Sequence, residues 1–281
     1  ILLVPLMSCS ARMPVYILIA GTFFAERAGS IVFLIYLIGI VIALLVGRLF
    51  SRTLFRSTPA PFVMELPPYR APTVKGLLSH TWERGRLYVR KMGGVILIAS
   101  VILWFLGAFP STPALEREYE GEIERLTEVG TVEALEEASD LEAELAAERI
   151  STSYIGRAGG LIEPVIRPLG FTWEMGVSLV TGFVAKEVVV STLGVLYHVG
   201  EDDPEATLPS VLRDPESGIS PLAAFAFMLF VLLYTPCIAA VAAVRREAGT
   251  KCMWFSVGYQ LALAWIVSFA VYQVGSLLGL A

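Results

Sequence analysis

Cys9 lies four residues after Pro5, and Cys237 directly follows Pro236; both sit in apolar surroundings with arginine further along, at Arg12 and Arg245. A thiol sulfur is a soft donor that suits Fe²⁺, Zn²⁺ or Cu⁺ better than Na⁺ or Mg²⁺. An isolated buried cysteine more often packs as a small apolar residue, so it is the neighbouring prolines that point to an ion pathway. Pro5, Pro14 and Pro236 each remove a backbone donor, and the polar backbone left behind needs protein, water or an ion as partner. Arg12 needs a carbonyl or carboxylate at depth, or else snorkels to an interface. Lys186 and Glu187 interrupt a second apolar run, G-F-V-A-K-E-V-V-V-S-T-L-G, which starts at Gly182. Adjacent residues on a helix do not face each other, so each is expected to meet a different segment. Glu187 is a ligand or proton-relay candidate, and Lys186 an internal counter-ion candidate; a buried structural role is the alternative for both. Cys252, beside Lys251, has no comparable context. The three cysteines form neither a disulfide framework nor a C-x-x-C zinc motif.

The elements that carry these residues are membrane spans. The chain of 281 residues is 56% hydrophobic and 17% charged, with a mean hydropathy of +0.69. Soluble domains are nearer half apolar and a quarter charged. Roughly 20 apolar residues cross a hydrocarbon core about 30 Å thick. Residues 28–47, 221–244 and 253–280 meet that requirement without a charged side chain, and 92–109 is slightly shorter. Residues 1–24 and 175–197 are hydrophobic but broken. Ile1 falls inside an apolar run without a basic leader, so the chain reads as a fragment cut within a span.

Charge sets the expected orientation. Residues 48–91 hold nine Lys and Arg against Glu65 and Glu83, which makes this loop cytoplasmic by the positive-inside rule. Within it, 74–91 mixes apolar and basic residues as a helix lying on the membrane does, and 58–69 reads as a proline-rich interfacial anchor. Residues 111–149 hold thirteen Asp and Glu and are expected outside as a helical hairpin, either solvated or concentrating cations at a pore mouth. If 175–197 crossed once, Arg245, Arg246 and Lys251 would fall outside; a re-entrant or broken segment removes that conflict. The expected fold is all-α: a polytopic helical membrane protein with broken or re-entrant helices and a weak inverted repeat of Pro–Cys modules. Its divisions are 1–110 with the basic loop, an acidic insert at 111–172, and 173–281. The net charge of −5 argues against a nucleic-acid partner.

Four runs occur in order: P-L-M-S-C-S-A-R-M-P-V-Y from Pro5, T-P-A-P-F-V-M-E-L-P-P-Y from Thr58, the Gly182 run, and Y-T-P-C-I-A-A-V-A-A-V-R-R-E from Tyr234. Together they resemble the C-terminal, gate-containing permease region of bacterial ferrous iron transport protein B. The resemblance implies two gate modules that import Fe²⁺ across the bacterial cytoplasmic (inner) membrane as a multi-pass protein. It implies Cys9 and Cys237 as transient Fe²⁺ contacts; by residue type Glu187 is a weaker metal candidate, and Pro5, Arg12, Pro14, Lys186 and Pro236 are expected to be gate structure. Ser10 stands where the family has Gly, and Met13 where it has Leu. Fe²⁺ is cargo, and no cofactor is held permanently. GTP and Mg²⁺ belong to an N-terminal GTPase domain of the same polypeptide, since no G-x-x-x-x-G-K-[ST] run occurs here. Further implied partners are the lipid bilayer, small accessory Feo proteins and a second copy of the chain.

Three other classes compete. A gate fold carrying another divalent metal or a nucleoside-like solute would need amide and aromatic side chains in its pocket for the latter. An intramembrane enzyme would need a base beside Cys9, yet His80 and His198 lie in loops or at span ends. A purely structural subunit would leave the intramembrane charges without a purpose.

Overall fold

The computed structural model describes residues 2–54, 73–110, 113–197, 204–235 and 237–279. No strand occurs among them. Single 3₁₀ turns at Val4–Leu6 and Ser10–Arg12 lead into α1 (Met13–Phe24). Then follow α2 (Ala28–Thr53), α3 (Val74–Ala108), α4 (Pro113–Val129), α5 (Val132–Thr152) and α6 (Tyr154–Ile166). The second part comprises α7 (Trp173–Thr181), α8 (Val188–Leu196), α9 (Pro204–Arg213), α10 (Pro221–Leu233) and α11 (Ile238–Leu277).

Two helices show what solvent this molecule is built for. On α2, Phe33, Leu34, Leu37, Ile40, Val41, Leu44, Leu45 and Leu49 are all exposed. A contiguous apolar stripe of that kind faces hydrocarbon, because water-facing patches on soluble monomers rarely exceed a few hundred Å². At about 1.5 Å per residue, its 26 residues reach ~39 Å, enough to cross. By contrast α10 is buried on every side, from Ala226 to Tyr234 without a break. It is the axis of the core, packed by α1, α2 and α11.

Two expected spans differ from the structure. Residues 221–244 are two pieces: α10 stops at Leu233, Tyr234 and Cys237 are extended, and α11 begins at Ile238. The residue before a proline is driven out of the helical region, which ends α10 ahead of the Cys. Pro236 itself lies outside the described residues, as does the 58–69 run. Conversely, 74–91 and 92–109 are not a surface helix and a separate span but the single helix α3. Gly93 and Gly94 weaken a helix by about 1 kcal/mol each without removing a donor, so they do not end it. Thr73 caps its start by accepting from the Gly76 amide at 3.4 Å.

The broken run 175–197 is a helical hairpin. Thr172, which caps α7, meets the Tyr197 hydroxyl at 3.3 Å, and Thr181 meets Thr192 at 2.9 Å. On one continuous helix the first pair would stand about 37 Å apart at ~1.5 Å per residue. The chain therefore doubles back, with residues 182–187 at the tip, and each nine-residue arm reaches only about 13 Å. The run is broken, in line with the re-entrant or broken segment that charge balance predicts. The acidic insert is also a helical hairpin, α4 against α5, turning at Gly130 (φ 65°). α11 is interrupted at Gly249, whose φ of 85° is open to glycine at little cost.

Candidate functional site

The site assembles where three interruptions converge. Before α1, the chain leaves its first 3₁₀ turn at Met7 and passes Cys9 in extended conformation before turning again at Ser10–Arg12. Pro5 lies in that first turn, and Pro14 sits in the first turn of α1, where a missing N–H costs nothing. At the other break, the Cys237 carbonyl accepts from the Ala240 and Val241 amides and so starts α11. The α7–α8 hairpin tip is fastened to this second break twice: the Ile238 amide donates to the Phe183 carbonyl at 2.9 Å, and Lys186 Nζ donates to the Thr235 carbonyl at 3.0 Å. Gly182 permits the approach, because a Cβ there would collide with Val189 Cγ2 and come within 2.8 Å of the Tyr234 hydroxyl.

A cavity of about 390 Å³ lies between these pieces, lined by Met7, Cys9 and Arg12 from the first break, Lys186 from the tip, and Cys237 and Glu247 from α11 among others. Both thiols are free. The two cations are almost wholly enclosed, Arg12 at 1% and Lys186 at 2% exposure. Isolated charges at such depth are costly, and each has compensation. Arg12 donates to the Met7 carbonyl at 3.4 Å. Lys186 adds to its carbonyl contact the face of the Tyr234 ring, 2.9 Å from its centroid, where the ring quadrupole attracts a cation. The Ser8 and Thr235 hydroxyl oxygens, one beside each cysteine segment, are buried without a hydrogen-bond partner among the described residues.

The structure thus brings Cys9, Arg12, Lys186 and Cys237 to one cavity and leaves Glu187 exposed, outside its lining. Glu247 and Met7 were not singled out by sequence. A signal for Glu247 existed: Cys237, Ala240, Val244 and Glu247 recur at helical spacing and form one stripe along α11. The stripe carries the lining about 15 Å along the helix, from a thiol to a carboxylate. Among the described residues, no three His, Cys, Asp or Glu side chains converge on one point. Thiols and carbonyls in an open cavity can hold a soft cation briefly, whereas a closed tetrahedral set would retain it.

Comparison with known proteins gives the family. A family model described as "Gate: Nucleoside recognition" matches residues 89–251, more than half of the chain, and one described as "Ferrous iron transport protein B C terminus" matches residues 32–84. The chain belongs to the FeoB family, in its C-terminal gate-containing region. It is 46% identical to the Fe(2+) transport protein A/Fe(2+) transporter FeoB fusion protein of Porphyromonas gingivalis, over 98% of this chain and 34% of that protein. It is 37% identical to the Fe(2+) transporter FeoB of Helicobacter pylori, over 86% of this chain and 38% of the relative. The Methanocaldococcus jannaschii Fe(2+) transporter FeoB is 35% identical, over 99% of this chain and 37% of its own length. The chain spans about a third of the length of these relatives. No solved structure matches it. As a FeoB-family chain it is an α-helical membrane protein, and α2 and the α10–α11 run carry the candidate spans.

Proposed function

We propose that this chain is the permease part of a ferrous iron importer, a multi-pass protein of the bacterial cytoplasmic membrane. Fe²⁺ enters from outside, passes between the two Pro–Cys breaks in transient contact with Cys237 and Cys9, and leaves toward the cytoplasm. A GTPase domain of the same polypeptide, with GTP and Mg²⁺ bound there, gates the passage. Fe²⁺ is cargo, and the chain holds no permanent cofactor. The Porphyromonas gingivalis relative, whose name joins transport protein A to FeoB, supports a small accessory Feo protein as partner.

One observation carries this reading: Cys9 and Cys237, at opposite ends of the sequence, line a single cavity in a FeoB-family chain. A soft cation is the cargo that two thiols recognise, and the unwound backbone beside each of them supplies the carbonyls that complete an ion's shell in broken-helix transporters. The test is Fe²⁺ uptake by the full-length transporter carrying Cys9→Ser and Cys237→Ser together. Loss of most uptake with normal membrane insertion is the expected result. Uptake at the normal rate removes the thiols from the pathway.

A second reading follows from the description of the matching family model, nucleoside recognition. Among the described residues, the cavity lining contains no aromatic or amide side chain to stack on or hydrogen-bond a base, which favours the ion. Competition of uptake by nucleosides and not by divalent metals would reverse that preference.

A further inference from the structure

Lys186 occupies a position that a cation pathway would reserve for its ion. Lys186 Nζ sits inside the cavity shared by both thiols, with the residue 2% exposed, on the Thr235 carbonyl at 3.0 Å and over the Tyr234 ring. That carbonyl belongs to the unwound segment between α10 and α11, and unwound carbonyls are what coordinate ions in transporters with discontinuous helices. Thr235 Oγ1, on the same residue, is buried with no hydrogen-bond partner among the described residues. Arg12 adds a further enclosed positive charge to the same walls.

We infer that Lys186 is a tethered surrogate cation: its ammonium fills the ion's seat at the Thr235 carbonyl, and the arriving soft metal must displace it. The inference rests on the iron-permease reading above and adds the device that closes the empty pathway and sets its threshold. A hard ion such as Na⁺ or Mg²⁺ gains little from two thiols and cannot repay the eviction of an ammonium from a carbonyl and a ring face. A soft divalent ion gains from both sulfurs and displaces it. Eviction moves the hairpin tip, because Lys186 is one of the two ties between that tip and the break before α11. Occupancy of the ion site and release of the hairpin are therefore one event.

The experiment uses the purified full-length transporter, with Co²⁺ as a redox-stable probe whose thiolate charge-transfer absorption reports ligation by cysteine. Lys186→Met should tighten Co²⁺ binding by at least about tenfold, equivalent to ~1.4 kcal/mol. The same variant in liposomes should pass Co²⁺ without nucleotide, whereas the wild type does not. Lys186→Arg, which keeps the charge, should bind Co²⁺ at least about tenfold more weakly than Lys186→Met. If Lys186→Met fails to insert, Lys186→Gln, with a neutral donor that can still hold the carbonyl, should show the same tightening. Unchanged or weaker Co²⁺ binding in an inserted neutral variant, with the absorption still abolished by Cys9→Ser and Cys237→Ser, overturns the surrogate-cation role alone. Absorption that is absent from the wild type, or indifferent to the cysteine substitutions, overturns the thiol pathway and the surrogate role with it.

Discussion

At the scale of single residues, the cavity separates two neighbours that the sequence presents as equivalent. Lys186 points into it and Glu187 into the surroundings, because consecutive residues at a helical turn diverge by roughly 100°. Sequence alone identifies both as misplaced charges; only the packed hairpin tip decides which is inside. Cys9, Arg12 and Cys237 were legible because a proline, a thiol and a cation inside apolar runs are expensive unless used. Glu247 was not, since it reads as part of the basic cluster around Arg245 and Arg246, and its tie to Cys237 appears only when α11 is seen to begin at Ile238. Its carboxylate is the acidic group at the far end of the lining stripe, so it should help draw the cation onward. Glu247→Gln keeps the shape and removes the charge. A lost interaction of about 0.7 kcal/mol, roughly threefold, is the scale for one partly exposed charge. The expected result is an about threefold fall in Fe²⁺ uptake with Co²⁺ ligation by the thiols unchanged; an equal fall in ligation would place Glu247 at the binding step instead.

At the scale of elements, the site depends on two fastenings. The first is the close approach of the hairpin to α10 at Gly182. Gly182→Ala introduces a methyl group against Val189 and the Tyr234 hydroxyl, and overpacking of that kind costs about 1–3 kcal/mol. We expect a lower Tm in detergent and loss of transport together. Normal Tm with normal transport would show that the tip tolerates displacement. The second is Arg213, which reaches from α9 to donate to the Gly21 carbonyl at 3.1 Å and to the Thr22 carbonyl. These are last-turn carbonyls of α1, which have no intrahelical partner. Arg213→Ala removes both bonds, and charge-assisted bonds are worth about 1.5–3 kcal/mol each at most. The expectation is faster hydrogen exchange at the α1 C-terminal turn and a destabilised α1, the helix that follows Cys9; unchanged exchange there would make the contact incidental. The hairpin itself was legible from charge parity, whereas the Arg213 tie was not, since no periodicity links residues so distant in sequence.

At the scale of the whole molecule, charge is distributed as unevenly as apolarity. The spans were readable from composition, and so was the α4–α5 hairpin, because Glu-rich sequence with leucines at helical spacing has few other solutions. The order of packing was not, since α10 becomes the core axis only through contacts spread over the whole chain. Glu122, Glu124, Glu128, Glu142 and Glu144 on the acidic hairpin are exposed, and Arg149 pairs with Glu120 at 3.8 Å. Exposed carboxylates of this density add little stability, since surface pairs contribute about 0–1 kcal/mol. They do raise the local concentration of a divalent cation, over a screening length of about 8 Å at physiological ionic strength. Replacing those five glutamates by glutamine should leave Tm and Co²⁺ affinity at the thiols untouched. If the hairpin stands outside the membrane, as its place one span after the basic loop predicts, the same replacement should raise the KM for Fe²⁺ uptake several-fold at low ionic strength and have no effect near 0.5 M salt, where the screening length falls below about 5 Å. A KM that is insensitive to the replacement at low salt would put the acidic hairpin away from the entrance.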